Sequence, residues 1–360
     1  MRPMNDLSPL YMLMSEIGTF TDCALITEDT NRRYFTGMKS SAGTLVVFSD
    51  AAYLIIDGRY IEKARKTVTC CEVIQQRKIY EQIAELIEQH EVVKVSIDAS
   101  HTTVSELNVL KSKLGTEIDS SDELADTIRA IRAVKRGEEI EAMISAQRIA
   151  EKGFEHMLSF IKAGRTEKEI QLELDFFMLS NGAEALSFDT IALTGKNTSM
   201  PHGVPGDTVV KSGDFVLMDF GAVYQGYHSD MTRTVCVGEP TDEMRSVYDT
   251  VLKAQLAGIE AVKEGMKASE LDAVARKIIS EAGYGDYFSH SLGHGVGMEI
   301  HEVPYASPSS DEILEADMVV TVEPGIYLPD RFGVRIEDFV VVREDGCFNM
   351  TNAPKELIVL

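Results

Sequence analysis

Residues 215–235 read FVLMDFGAVYQGYHSDMTRTV. Phe215, Val216, Leu217 and Met218 open this stretch as an interior strand, yet Asp219 follows at once and Asp230 lies further along. Gln225-Gly226 has the composition of a two-residue hairpin centre. A fold there sets Tyr224 opposite Tyr227, Gly221 opposite Asp230 and Asp219 opposite Thr232. Side chains alternate faces with period two, so Asp219 and Asp230 share one face as diagonal neighbours. Two ionised carboxylates so placed repel unless a cation or a proton lies between them. Two solvated aspartates on an exposed hairpin would need neither. The pair alone decides nothing.

Two more apolar runs carry the same anomaly. DMVVTVEPGIYL, residues 317–328, holds Glu323 just before Pro324-Gly325, and FGVRIEDFVVV, residues 332–342, holds Glu337 in its interior. Arg335 shares a strand face with Glu337 and can pair with a carboxylate. A lone carboxylate buried without a partner costs on the order of several kcal/mol, so four of them in three apolar runs call for a common charge sink. SHSLGHGVGMEIHE, residues 289–302, adds His294 between two glycines, where the backbone is free to bend and present an imidazole, and His301 beyond it. His202 stands in the proline- and glycine-rich loop SMPHGVPG. Oxygen-rich ligation with one imidazole suits Mn²⁺, Co²⁺, Fe²⁺ or Zn²⁺ better than thiophilic ions. Four carboxylates overcompensate one divalent ion and balance two.

The remainder of the chain bounds the reading. Its 360 residues are too many for one ordinary core, which gives two domains. No apolar run approaches membrane-spanning length, and MRPMNDLSPLYMLMSEIG lacks the basic flank and long apolar stretch of a secretory signal. Cys23, Cys70, Cys71, Cys236 and Cys347 are odd in number, scattered and free of any CxxC pair, which points to a reducing cytoplasm. A net charge of −23 repels phosphate backbones and anionic lipids, so nucleic acid and membranes are excluded as partners.

Along residues 1–133, strand-sized pieces (CALITED, GTLVVFSDAAYLIIDGRY with a turn at Ser49-Asp50, KVSIDAS) alternate with helical ones (IEKARKTVT, KIYEQIAELIEQHEVV), which predicts an α/β domain. A long helical stretch is broken by the charged hinge Lys135–Glu139, and the boundary falls there. Residues 134–360 carry a helix with a Thr166/Glu169 capping box ending at Gly182, then strands and loops, then two helices over 243–265 and 268–283, then strands again.

The order Asp219, Asp230, His294, Glu323, Glu337 resembles the metal-binding set of the pita-bread metallopeptidases, which include methionine aminopeptidase, aminopeptidase P and prolidase. MDFGAVYQGYHSDMTRT, SLGHGVGMEIHE, VEPGIY, GVRIED and FDTIALTGKNTSMPHG look like that family's signatures, and IDGRY in its α/β context looks like a creatinase-type N-terminal domain. The resemblance implies an α/β N-terminal domain followed by an α+β pita-bread catalytic domain, a curved antiparallel sheet flanked by helices. It implies two divalent ions per subunit, Mn²⁺ foremost with Co²⁺, Zn²⁺ or Fe²⁺ as alternatives, and a bridging hydroxide that attacks the bond before proline. Asp219 would chelate one ion, Asp230 and Glu337 would bridge both, and His294 and Glu323 would complete the other. Glu323 would also shuttle a proton to the leaving nitrogen, and His202 and His301 would orient the substrate and stabilise its developing charge. Arg335 would salt-bridge a carboxylate, the substrate's among the candidates. A homodimer is implied as well. The N-terminal domain sets methionine aminopeptidase aside. Xaa-Pro aminopeptidase on longer peptides, slightly favoured, and strict prolidase on dipeptides stay open, with a creatinase-like amidinohydrolase and a non-catalytic scaffold as outlying alternatives.

Overall fold

The structure is a computed structural model that describes residues 8–360. The chain divides into two compact units between Arg132 and Ala133.

In the first unit, β1 (Cys23–Ile26), β2 (Thr44–Val47), β3 (Ala52–Ile56), β4 (Glu72–Gln75), β5 (Lys94–Ile97) and β6 (Glu117–Asp119) form one sheet in the order β4-β3-β2-β1-β5-β6. β2 and β3 form a hairpin closed by Phe48 and Ala51 around Ser49-Asp50, as the sequence predicts. β1, β5 and β6 run parallel, the consequence of strands alternating with helices. The helices are α1 (Pro9–Glu16), α2 (Asp29–Thr36), α3 (Ile61–Thr67), α4 (Ile79–Gln89), α5 (Val104–Lys113) and α6 (Glu123–Ala133). α4 presents Ile83, Leu86 and Ile87 to the sheet residues Leu25, Val46, Ile55 and Val95. α1, α2 and α5 were not legible from periodicity, because α2 is strongly polar and α1 and α5 carry no marked apolar stripe.

The second unit holds the anomalous carboxylates. α7 (Gly137–Phe160) and α8 (Glu167–Ser180) pack against one group of strands, and α9 (Asp242–Ala261) and α10 (Ala268–Glu281) against another. The strands are β7 (Ala185–Leu186), β8 (Ile191–Thr194), β9 (Asp214–Phe220), β10 (Ala222–Tyr224), β11 (Tyr227–His228), β12 (Met231–Val237), β13 (Gly293–Gly295), β14 (Glu302–Ala306), β15 (Val319–Val322), β16 (Gly325–Leu328), β17 (Phe332–Arg335), β18 (Asp338–Arg343) and β19 (Gly346–Asn349). Every ladder among them is antiparallel.

The hairpin has the expected register: Tyr224 faces Tyr227 and Asp219 faces Thr232. Gln225 and Gly226 turn it with φ of 52° and 90°, the doubly left-handed backbone of a type I′ turn. Val216, Met218 and Phe220 pack towards α7 and α8, and the strict alternation turns Asp219 to the opposite face. The apolar runs bearing Glu323 and Glu337 are each two strands rather than one. The ladder stops at Glu323-Pro324, between β15 and β16, and at Ile336-Glu337, between β17 and β18. Glu337 N–H leaves its own ladder to donate to Thr232 O, 3.1 Å away, which ties the bend to β12.

Candidate active site

Three of the four carboxylates sit where strands break, and the breaks let them converge. Asp230, His294 and Glu337 each offer an atom within 4.8 Å of the others. His294 Nε2 lies 3.5 Å from Asp230 Oδ2 and 3.5 Å from Glu323 Oε1. Its Nδ1 lies 2.9 Å from Gly295 O, so Nδ1 donates there and Nε2 turns its lone pair to the carboxylates. Burial lowers the imidazole pKa to about 4, which keeps it neutral, the form that binds cations.

The flanking glycines do something other than the bending the sequence suggests. A β-carbon on Gly293 would stand 2.0 Å from Thr321 O, and one on Gly295 2.3 Å from Val303 O. Both residues are in the strand β13, pressed against β15 and β14. Close approach, and no flexibility, is what they provide.

Asp219 reaches the same cluster through Arg335. Arg335 Nη2 donates to Asp219 Oδ2 at 2.6 Å, Nη1 to the Tyr327 hydroxyl at 2.8 Å, and Nε to Thr232 Oγ1 at 2.9 Å. The Thr232 hydroxyl passes its own proton to Glu337 Oε2, 2.7 Å away. Thr321 does the same on the other side, accepting from His294 N–H at 3.0 Å and donating to Glu323 Oε1 at 3.2 Å. Each threonine stands two residues from a carboxylate, Asp230 or Glu323. The period-two rule that paired Asp219 with Asp230 was therefore a signal that could have found them.

The electrostatics are severe. Burial first, then Asp219 and Glu323, push the Asp230 pKa well above the carboxylate range. Burial followed by Asp230, Glu323 and Asp219 does the same to Glu337. Burial raises Glu323 to about 8. Arg335 opposes all three shifts without cancelling them. Asp219 Oδ1 is buried with no hydrogen-bond partner. A buried acceptor oxygen with no donor, a neutral imidazole aimed among the carboxylates and a local excess of negative charge together fit hard or borderline divalent cations.

His301 stacks edge-on against His294, ring centroids 4.4 Å apart. Burial lowers its pKa, with His202 as the next contributor, so the His202 ring faces the same space. His290 joins them, and sequence reasoning passed it over between two serines. Its Nε2 lies 2.8 Å from the Tyr327 hydroxyl, and burial, seconded by Arg335, takes its pKa to about 4.

Residues 141–344 match the model of metallopeptidase family M24, and residues 9–131 that of the creatinase/prolidase N-terminal domain. An uncharacterized peptidase of Bacillus subtilis, YqhT, is 42% identical over 98% of this chain and 99% of its own length. The solved Xaa-Pro dipeptidase from Bacillus anthracis superposes with a TM-score of 0.94 at 40% identity, covering 98% of this chain and 99% of that one. The X-Pro aminopeptidase from Thermotoga maritima gives 0.90 at 35%, covering 97% and 99%. The chain belongs to metallopeptidase family M24 and has its two-domain architecture, a creatinase-type N-terminal domain and a pita-bread domain.

Proposed function

We propose that this chain hydrolyses the peptide bond between an N-terminal residue and proline, with two divalent ions held by Asp219, Asp230, His294, Glu323 and Glu337, and Mn²⁺ as the preferred ion. The convergence of four carboxylates and one neutral imidazole in a buried site, with the Arg335 guanidinium paired to Asp219, carries this reading. Bound divalent ions would neutralise the carboxylates, polarise the scissile carbonyl and acidify water. The bond before proline has no N–H, so a site that grips that hydrogen fails on it, whereas Lewis-acid chemistry makes no such demand.

The chain's own side chains supply the rest. His202 and His301 approach from the open side, where an N–H on either ring orients the substrate and stabilises charge developing on its carbonyl oxygen. Glu323 Oε1, already in contact with Thr321 Oγ1, carries a proton to the leaving proline nitrogen. Arg335, anchored on Asp219 and touching the His202 loop at Pro201 O, meets a substrate carboxylate. Residues 134–360 form the catalytic domain, and a homodimer in the cytoplasm is the working form.

Between dipeptides and longer peptides, we favour the dipeptide. The neighbour named Xaa-Pro dipeptidase is more similar in sequence and superposes better than the one named X-Pro aminopeptidase. The test is metal-stripped protein reloaded with Mn²⁺, Co²⁺ or Zn²⁺ and offered Ala-Pro and Ala-Pro-Ala side by side. Cleavage of Ala-Pro alone is expected. Cleavage of both makes it an aminopeptidase, and cleavage of neither with any ion removes the proline reading.

A further inference from the structure

We propose that Glu167 is a positioning residue that clasps both feet of the loop carrying His202. The inference rests on the reading of His202 as a substrate-orienting group. Residues 195–213 join β8 to β9, and His202 stands near the crest of the part that ends at Gly206. Glu167 is the first residue of α8 and is only 1% exposed. Its Oε1 accepts from Thr194 N–H at 2.8 Å and from Asn197 Nδ2 at 2.9 Å, before His202. Its Oε2 accepts from Gly206 N–H at 3.1 Å, after His202. One carboxylate therefore closes the loop.

Glu167 is not there to cap its own helix. The neighbouring pair already does that: Thr166 Oγ1 accepts from Glu169 N–H, and Glu169 accepts from Thr166 N–H. All three donors to Glu167 lie in the loop or, for Thr194, at the end of β8 that leads into it. The positive end of the helix dipole favours a carboxylate at this turn, which lets a buried acid persist on neutral amide donors. Backbone bonds strengthen the second foot, Lys168 N–H to Gly206 O at 3.0 Å and Glu167 N–H to Thr208 O at 3.0 Å. On the far side, Gly333 N–H donates to Thr198 Oγ1 at 2.7 Å. The crest itself is uncovered: Met200 is 48% exposed and Val204 85%. Between the feet the crest is held by the long bond from Arg335 Nη1 to Pro201 O at 3.4 Å and by Gly203 lying against Leu193, so the feet set much of its position, and an orienting group displaced by ~1 Å loses about 100-fold in rate.

The test compares Glu167→Gln, Glu169→Gln, His202→Ala and the His202→Ala/Glu167→Gln double variant of the Mn²⁺-loaded full chain on Ala-Pro. Glutamine keeps Oε1 for Thr194 and Asn197 but sets an amide N–H₂ against Gly206 N–H, so one foot opens. Expected for Glu167→Gln is a kcat loss of about 10- to 100-fold with KM changed by less than about threefold and metal content unaltered. Glu169→Gln, on the same helix turn but off the loop, stays within about twofold of wild type on the same scale. The double variant is no slower than His202→Ala. Should Glu167→Gln fail to fold, Asn197→Ala opens the first foot with the carboxylate retained, and a kcat loss silent in the His202→Ala background is again expected. Losses that multiply with His202→Ala, or full activity in the Glu167 or Asn197 variant while His202→Ala is impaired, overturn the clasp alone. Full activity of His202→Ala overturns both the clasp and the role of His202.

Discussion

Asp230 has a donor in the Met231 N–H, but the side chains around it repel rather than pair with it: His294 Nε2 stands at 3.5 Å with its lone pair outward, and Asp219 and Glu323 act on it through their charge. A side chain in that position stabilises the protein only when a cation is present. Asp230→Asn is isosteric, is neutral without taking up a proton and supplies N–H donors to the surrounding carboxylates. Removing one member of a repelling buried set gains stability, here about 1–3 kcal/mol for the ion-free protein. Over a domain of this size that is a rise of roughly 2–4 °C in Tm per kcal/mol. The same variant is expected to lose the Tm gain that Mn²⁺ gives wild type and at least about 100-fold in turnover. Calorimetry with and without Mn²⁺ checks it. An ion-free Asp230→Asn protein less stable than ion-free wild type contradicts the repulsion argument.

At the scale of elements, β13 is where small residues matter most. Gly293→Ala puts a methyl 2.0 Å from the Thr321 carbonyl, a backbone atom that cannot swing aside. The strand must leave β15, which carries His294 away and breaks the bond from its N–H to the Thr321 hydroxyl. A destabilisation of about 1–3 kcal/mol or more is expected, together with weakened Mn²⁺ binding in a titration. Unchanged affinity would show that β13 does not set His294. The sequence suggested those glycines as hinges because composition cannot separate a residue that bends from one that is crowded. The hairpin was legible to the residue, since Gln225-Gly226 fixes the turn and the turn fixes the register. The helices from α6 to α10 were legible from periodicity. The breaks at Glu323-Pro324 and Ile336-Glu337 were not, because a continuous apolar run does not reveal where a strand changes partners. His290 and Tyr327 were missed for a related reason: their role arises from meeting each other across the fold.

At the scale of the whole molecule, the titrating groups of the site set how stability depends on pH, and their signs separate. Glu323 holds its proton in the ion-free fold up to about pH 8, whereas an unfolded glutamate releases it near 4.5. Between those values the folded state binds more protons, so stability falls as pH rises. Asp230 and Glu337, also raised, act in the same direction. His290 and His294 act in the opposite one: lowered by burial to about 4, they stay neutral in the fold while an unfolded histidine protonates near 6.5, so stability is lost as pH falls below 6.5. The two effects overlap at acidic pH. Above 6.5 the histidine contribution fades as the unfolded imidazoles lose their protons, and up to about 8 the three raised carboxylates outweigh it. Cys70, in the first unit, opposes them from about pH 7, because its thiol bonded to Cys71 loses its proton more easily in the fold; Cys70→Ser removes that contribution. In a Cys70→Ser background the ion-free full chain should therefore lose Tm steadily from pH 6.5 to 8. With saturating Mn²⁺ the decline should vanish or reverse, because cations then occupy the site in place of protons and bind more tightly as the carboxylates ionise. Thermal unfolding at four pH values in that window, with and without Mn²⁺, measures both slopes. A flat or rising ion-free curve would mean that Asp230, Glu323 and Glu337 do not hold protons in the fold, and the case for a pair of cations would lose its electrostatic basis.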